Sequence, residues 1–587
     1  MRRVNLRPLR ASARVASIDS VAGFGRARPR RWLAGRPWWA APGAWAGTRV
    51  GALEVAFWCA VAALSLALAV TRSGGVRLYN DSYQYLSVAE SLARGEGNRS
   101  SIVHYDLDYR QGSVPAAMTA FPPGFPLAIA PLLSLGLRGE VAAGLVSGLS
   151  LVALVPLLCA AGAWLSLPLA ATRAALVLLL VNAHVGFFAG AALSESLFTL
   201  LSTAALLSAL RAEGQGGPSR AYLALAGALA GLSFGVRFAG VFLLGALVAY
   251  YGWRWLRRRT ARAFGELACV ALPLPFIAGY AAYRLATDTL KGGNTKEVFR
   301  GLKFVAVETA RALVRLGLPE RRLDAQSLDA LWFGLAAVAA GATVWLCRRS
   351  PSIVTRAPAR GALPLVALYV VAYVAGMTYL QLVTPINTGV RLFYPLLPLY
   401  VLGAAFAIER AASSAHLRGE RPAYASMLAL GLAAYGALHL SHVRPDERAS
   451  QRVLPRWLAQ PTAAGPTVAE WVEQNVPPDG VIIADDGQAT GHLLRRKTLS
   501  LAGAEISDQR WTEGRVRELF DTYRASLLVL YPSADPGRAQ AQAESAFLAD
   551  LLAGKAPSWL EVAVETDEVR AFRLARVDGP SAQLAVP

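Results

Sequence analysis

The sequence predicts an α-helical polytopic membrane protein that carries a small α/β domain at its C-terminal end. Composition is the first reason: 54% of the 587 residues are apolar and only 17% charged. The mean hydropathy of +0.37 exceeds what a soluble domain carries. Long apolar runs recurring from Val50 to Leu440 are the second. The third is a change of character near His442, beyond which the apolar runs shorten to strand length and alternate with helical patterns.

Three segments are expected: a basic cytoplasmic tail over 1–49, a transmembrane domain over 50–442 with an exterior loop at 71–140, and an exterior α/β domain over 443–587. The apolar runs are Val50–Val70, Val141–Leu165, Ala174–Leu193, Leu197–Leu210, Ala221–Val236, Phe238–Trp253, Phe264–Leu285, Leu328–Cys347, Leu363–Leu382, Leu392–Ile408 and Tyr424–Leu440. Several are shorter than the roughly 20 residues that span a bilayer upright, so about eleven helices are expected, with juxtamembrane helices beside them.

Arginine and lysine in short loops are retained on the cytoplasmic side. The tail is rich in arginine from Arg2 to Arg36, with Asp19 its only acid. Arg254, Arg257, Arg258 and Arg259, then Arg348 and Arg349, then Arg418 and Arg421 fall on the same side by parity. The loop at 71–140, the turn at Thr384–Arg391 and everything after His442 are thereby expected outside the membrane. The formal charge of +20 is topological, not a nucleic-acid signal. The tail reads as a disordered cytoplasmic segment and not a targeting peptide, because Val50–Val70 is too long for a signal core and no cleavage site follows it. Cys59, Cys159, Cys269 and Cys347 are isolated in or beside apolar runs, which predicts neither a disulfide framework nor a zinc site.

In the C-terminal segment the patterns predict helices at Thr467–Gln474, Thr490–Arg496, Arg515–Tyr523 and Ser545–Leu552. Strands are predicted at Val481–Ala484, Thr498–Leu501, Ser526–Tyr531, Leu560–Glu565 and Val569–Leu574. The turn Pro477-Pro478-Asp479-Gly480 marks entry to the first of them. Asp485 and Asp486 at its end read as a helix cap before they read as metal ligands. No fixed-period repeat and no glycine-rich phosphate loop occurs.

Chemistry is expected where the first apolar run gives way to water. Tyr79-Asn80-Asp81-Ser82-Tyr83-Gln84-Tyr85 stands there, ahead of an amphipathic helix and the turn Phe121-Pro122-Pro123-Gly124. A carboxylate in that place takes a proton from a water-soluble molecule while an apolar groove beside it holds a lipid-linked one. Asp81 is the candidate base. Its alternative role is the N-cap of Ser82–Arg94, whose Tyr85, Leu86, Val88, Ala89 and Leu92 form an apolar stripe ending at Gly95. Arg237 and Arg391 interrupt apolar runs at expected exterior helix ends, where a guanidinium grips a phosphate bidentately. Both also fit snorkelling helix-end residues, though an exterior Arg237 runs against the inside bias for arginine. His104, Asp106 and Asp108 offer a further acid or a metal ligand, against the plainer reading of a polar loop. No metal site is assigned and no cofactor is certain, with a divalent ion left open. His439 and His442 read as interfacial.

The order of motifs carries a resemblance. Asp-Ser-x-x-Tyr-Leu-x-x-Ala-x-x-Leu-x-x-Gly at Asp81–Gly95 precedes Phe121-Pro122-Pro123-Gly124-Phe125-Pro126, then Ser194-Glu195-Ser196-Leu197-Phe198 and Gly235-Val236-Arg237-Phe238. Arg391-Leu392-Phe393-Tyr394-Pro395-Leu396-Leu397-Pro398 closes the series. From Val50 to Ile408 this resembles the GT-C glycosyltransferases that use polyprenyl-phosphate sugars, especially bacterial relatives of protein mannosyltransferases and lipid A aminoarabinose transferases. The resemblance implies a GT-C-like catalytic domain that moves a hexosyl or pentosyl group from a polyprenyl-phosphate donor to a glycan, lipid or protein acceptor. It places Glu195 where the family often carries a second acid; the alternative is a solvated loop charge. Tyr85, His104, Asp106, Asp108 and Tyr394 are then candidates for acceptor or substrate contacts. Many family members show two adjacent acids where this chain has Asn80-Asp81-Ser82, so metal use and acceptor class do not carry over.

A sugar on a phosphate has a good leaving group, so its departure needs cationic neutralisation more than a general acid. One base suffices, and a single displacement inverts the anomeric centre. Two other classes fit a many-helix chain. A lipid-sugar transporter would place its charged sites near the bilayer midplane in repeated halves. An inactive homologue would keep the fold and use the C-terminal domain as a binding scaffold.

Overall fold

The computed structural model describes residues 49–104, 109, 111–118, 120–165, 167–213, 219–286, 300–317, 363–384, 389–417, 430, 435, 449–463, 465–501, 511–532 and 545–575. The expected spans at Leu328–Cys347 and, for the most part, Tyr424–Leu440 lie outside these residues, as do Asp106, Asp108, His439, His442 and the basic tail before Arg49.

Helix α1 (Arg49–Arg72) is apolar between its ends apart from Glu54, which pairs with Arg173, and it leaves Leu53, Phe57, Leu64 and Leu68 exposed, the signature of a lipid-facing span. After a turn through Gly74 and Gly75 the chain enters α2 (Asn80–Ala93). Two short antiparallel pieces, β1 (Arg99–Ser100) and β3 (Ala116–Ala117), flank β2 (Ile102–Val103). The body continues with α3 (Gly124–Ser134), α4 (Gly139–Trp164), α5 (Leu169–Leu180), α6 (Ala183–Ala189), α7 (Glu195–Ala212) and α8 (Arg220–Val236). It closes with α9 (Gly240–Arg258), α10 (Ala261–Ala271), α11 (Leu274–Ala286), α12 (Leu302–Gly317), α13 (Leu363–Val383), α14 (Val390–Phe393), a 3-10 turn at Tyr394–Leu396 and α15 (Leu397–Leu417).

Among the described residues four helices are long and apolar enough to cross a membrane, or six if each bent pair is one span. The bent pairs correct two expected straight runs. Ala174–Leu193 covers the second half of α5 and all of α6, bent by 62°, where the Asn182 side chain caps α6 by accepting from the His184 N–H at 3.0 Å. Phe264–Leu285 spans most of α10 and α11, bent by 46° where Pro273 interrupts the ladder.

The C-terminal segment adds α16 (Ala449–Leu458), α17 (Val468–Asn475), β4 (Val481–Ala484), α18 (Gly487–Leu494), β5 (Lys497–Ser500), α19 (Glu513–Tyr523), β6 (Ala525–Leu530), α20 (Ala546–Leu552), β7 (Leu560–Glu565) and β8 (Arg570–Leu574). Their six-stranded sheet runs β2-β5-β4-β6-β8-β7, parallel from β2 to β6 and antiparallel beyond. Both faces are covered, so β4 is buried at every residue: Ile483 joins Leu499, Phe520 and Leu528 on one side, Ile482 joins Val472, Leu527 and Val529 on the other. Asp486 is a cap, accepting from the Ala489 N–H, as its place after a strand predicts. The edge strand β2 comes from the loop between α2 and α3. That loop is therefore part of the C-terminal sheet as well as of the membrane domain, and a boundary at 443 divides the chain but not the sheet.

Candidate active site

Each charged candidate is fixed by a local break in helical structure. Helix α2 starts one residue before Asp81, with Tyr79 at the N-cap and the Ser82 hydroxyl accepting from the Tyr79 N–H at 2.9 Å. Asp81 therefore stands in the first turn of the helix and not at its N-cap, and its carboxylate pairs with Arg391. Glu195 opens α7 in the same way, where the helix dipole favours a carboxylate.

Arg237 sits in extended conformation between α8 and α9. The turn is so tight that a Cβ on Gly240 would lie 2.3 Å from the Phe234 nitrogen. Gly124, at the end of the Phe121-Pro122-Pro123-Gly124 turn, packs on the same place: a Cβ there would meet the Gly235 carbonyl oxygen at 2.4 Å. Arg391 projects from α14, a single turn pinned where the Tyr373 hydroxyl donates to the Leu392 carbonyl at 2.9 Å.

These four side chains converge. The Arg391 guanidinium donates through one terminal nitrogen to Asp81 Oδ2 at 2.5 Å and through Nε to Glu195 Oε1. Arg237 donates to the same Glu195 oxygen at 2.8 Å and to the Ser194 hydroxyl at 3.0 Å. The Tyr85 hydroxyl lies 3.1 Å from the Ser194 hydroxyl. Burial pushes the Tyr85 phenol above its ordinary range, so it is a neutral hydroxyl. Glu195 is fully buried, and its Oε2 accepts no hydrogen bond from any described residue. The guanidiniums do not stand apart from the carboxylates, as separate base and phosphate roles suggest. They hold both acids together.

The remaining candidates are arranged differently. Tyr394 is buried and packs its ring on Phe188 at 4.6 Å between centroids. His104 is buried at the sheet edge, with Nδ1 3.0 Å from the Ser500 hydroxyl, and belongs to the C-terminal domain's packing. No group of three or more metal-ligating side chains occurs among the described residues. Two residues that sequence reasoning gave no role complete the cluster. Ser194 links Tyr85 to Arg237, and its signal was its place beside Glu195. Tyr373 pins α14, and a lone tyrosine in an apolar run gives no signal at all.

No family model matches the chain, and no curated protein does. Solved structures of similar chain path include ArnT from Cupriavidus metallidurans bound to undecaprenyl phosphate, at 14% identity over 91% of this chain and 99% of that one, with a TM-score of 0.45. The archaeal oligosaccharyltransferase AglB from Archaeoglobus fulgidus, in complex with an inhibitory peptide and a dolichol-phosphate, is 12% identical over 83% of this chain and 70% of that one, with a TM-score of 0.47. The mycobacterial arabinofuranosyltransferase AftD is 18% identical over 89% of this chain and 41% of that one, also at 0.47. At these identities and scores the likeness assigns no residue a role.

Proposed function

We propose that the chain transfers a sugar from a polyprenyl-phosphate donor to a hydroxyl acceptor at the exterior face of a bacterial inner membrane. The observation that carries this reading is the convergence of Asp81, Glu195, Arg237 and Arg391 from four distant chain segments into one ion-paired cluster. Motif order along the chain supports it. Glu195 opens α7 and Glu213 closes it, so the ionisable groups of this helix stand at its ends and not at mid-length, which disfavours a transporter.

In the proposed reaction the acceptor oxygen attacks the anomeric carbon and gives its proton to Asp81. The new carbon–oxygen bond forms as the bond to the phosphate oxygen breaks. The phosphate leaves with the bonding electrons, and the anomeric centre inverts. Arg391 and Arg237 neutralise the charge that gathers on the phosphate. Because Arg391 is shared between Asp81 and Glu195, an arriving phosphate competes with Asp81 for it. A carboxylate that loses its guanidinium takes a proton more readily, so occupation of the phosphate site switches the base on. Glu195, buried and held by Arg237, keeps Arg391 in place through the exchange.

The test is turnover of a synthetic polyprenyl-phosphate sugar by the purified chain, followed by release of polyprenyl phosphate and by the anomeric configuration of the product. Inverted product supports the reading; retention would replace it with a covalent intermediate, and transport of the intact donor without cleavage would end it. Sidedness has its own check in a cysteine-free background: Gln474→Cys should react with a membrane-impermeant reagent from outside and Arg258→Cys should not.

A further inference from the structure

A second site lies on the far side of α2. Glu90 follows Asp81 by nine residues, about 14 Å along the helix axis and half a turn round it. There the C-terminal half of α2, the first turn of α4, the end of α18 and the start of β5 line an open cleft of about 1080 Å³. Its walls are fixed by contacts across the seam. The Tyr83 and His492 rings lie 5.2 Å apart, and His492 Nε2 meets Glu140 Oε1 at 3.1 Å.

Six arginine and lysine side chains line it against three glutamates. Arg94 is held by Glu96 at 2.8 Å, Arg99 by the Pro115 carbonyl at 2.7 Å, and Arg496 faces the carbonyls of Arg495 and Val476. Arg138, Arg495 and Lys497 form no ion pair among the described residues, and all three border this one space. Cations gathered along a cleft raise its positive potential and draw an anion in. Glu90, Glu140 and the Ser87 hydroxyl lie among them, and carboxylates accept hydrogen bonds from hydroxyl groups. A bare inorganic anion has no use for such acceptors and is far smaller than the cleft.

We propose that this cleft binds an acidic saccharide, one or a few sugar residues that carry phosphate or carboxylate. Arg138, Arg495 and Lys497 take the anionic group, and Glu90 and Glu140 take the ring hydroxyls. The site stands whether or not the Asp81 cluster transfers sugar, and its test reads binding alone.

The full-length chain in phosphatidylcholine nanodiscs is titrated calorimetrically with tetragalacturonate, with maltotetraose as the neutral sugar of equal length, and with inorganic phosphate. Tetragalacturonate is expected to bind at least about tenfold more tightly than either, and more weakly as salt rises. The double variant Arg138→Gln/Lys497→Gln should lose about tenfold or more, with an unchanged melting temperature to show that it folds. Asp81→Asn should bind as the parent does. Equal binding by the double variant, failure of tetragalacturonate to bind, or phosphate binding as tightly as tetragalacturonate overturns the proposal. So does abolition of binding by phosphatidylglycerol in the nanodisc, which would assign the site to a lipid headgroup.

Discussion

Helix α7 carries an arginine–carboxylate network at each end, and its 18 residues set the two about 27 Å apart. At its start Glu195 meets Arg237 and Arg391, with Asp81 beyond. At its end Glu213 meets Arg254, which also lies 3.5 Å from Glu266, and the Tyr251 hydroxyl donates to Glu213 at 2.8 Å. The chemistry of the pairs is the same but their setting is not. Arg254 keeps only 8% of its side-chain surface, whereas Arg391 keeps 35% and Arg237 21%. The dipole also differs. Glu213 sits at a helix C-terminus, where a carboxylate is disfavoured and needs its cation, while Glu195 sits at an N-terminus that favours it alone. One network is sealed round Arg254, with Arg262 at its rim 3.6 Å from Glu266. The other holds guanidiniums that an incoming anion can reach, which favours that end for the proposed reaction.

The comparison breaks first at Asp81. Asp81→Asn removes the proposed base but leaves an amide that Arg391 cannot hold as an ion pair, and turnover should fall about a hundred- to ten-thousandfold with the fold retained. Turnover near the parent value in a steady-state assay would make the open network as structural as the sealed one. The reverse experiment is Arg254→Ala. It removes the guanidinium shared by Glu213 and Glu266, leaving Glu213 the Tyr251 hydroxyl and Glu266 only Arg262 at 3.6 Å, and should cost up to about 3–5 kcal/mol of stability, seen as a lower melting temperature in detergent. Turnover per folded molecule should not change. Adding Glu213→Gln and Glu266→Gln should recover part of the loss, because the two carboxylate charges are then gone.

Arg391 tests whether reach matters. Lysine keeps the charge but not the planar fork that touches Asp81 and Glu195 together, and glutamine loses both. Catalytic efficiency should fall in the order Arg, Lys, Gln, with the Gln variant down about ten- to a hundredfold, the value of one charge-assisted contact. The effect should persist when the acceptor is changed, since the residue is assigned to the donor phosphate. Parent-like activity in Arg391→Gln would place the phosphate elsewhere.

Much of the architecture is legible in the sequence because it rests on local periodicity. Strands β4 and β7 coincide with their sequence-based bounds, and the four predicted helices of the C-terminal domain fall within a few residues of theirs, whereas α16 (Ala449–Leu458) is not among those predicted. The helix breaks were legible in principle through Asn182 and Pro273, but an unbroken apolar run masks a break. Strand β2 was not legible: two residues, Ile102 and Val103, pair with Thr498 and Leu499 far along the chain, and no local pattern encodes such a pairing. The site divides in the same way. A charged residue at the end of an apolar run announces itself, so Asp81, Arg237 and Arg391 stand out singly, while Glu195 is singled out only through the family resemblance. Which of them touch is a tertiary property, and Arg391 reaches Asp81 across 310 residues.

The smallest expected effect separates positioning from chemistry within the open network. Tyr85→Phe removes one neutral hydrogen bond, that between the phenol and Ser194, while the ring stays packed on Phe121 and Phe125. Ser194 keeps its contact with Arg237. A neutral hydrogen bond is worth about 0.5–1.5 kcal/mol, so catalytic efficiency should drop about two- to tenfold. The pH profile decides the role. Burial holds the phenol above its ordinary range, so it stays protonated at every pH where the protein works, and its loss removes no titrating group. Both limbs of the profile should therefore keep their places in the Phe variant, with only the height reduced. A displaced alkaline limb would make Tyr85 a proton carrier, and the open network would then hold a second acid–base group beside Asp81.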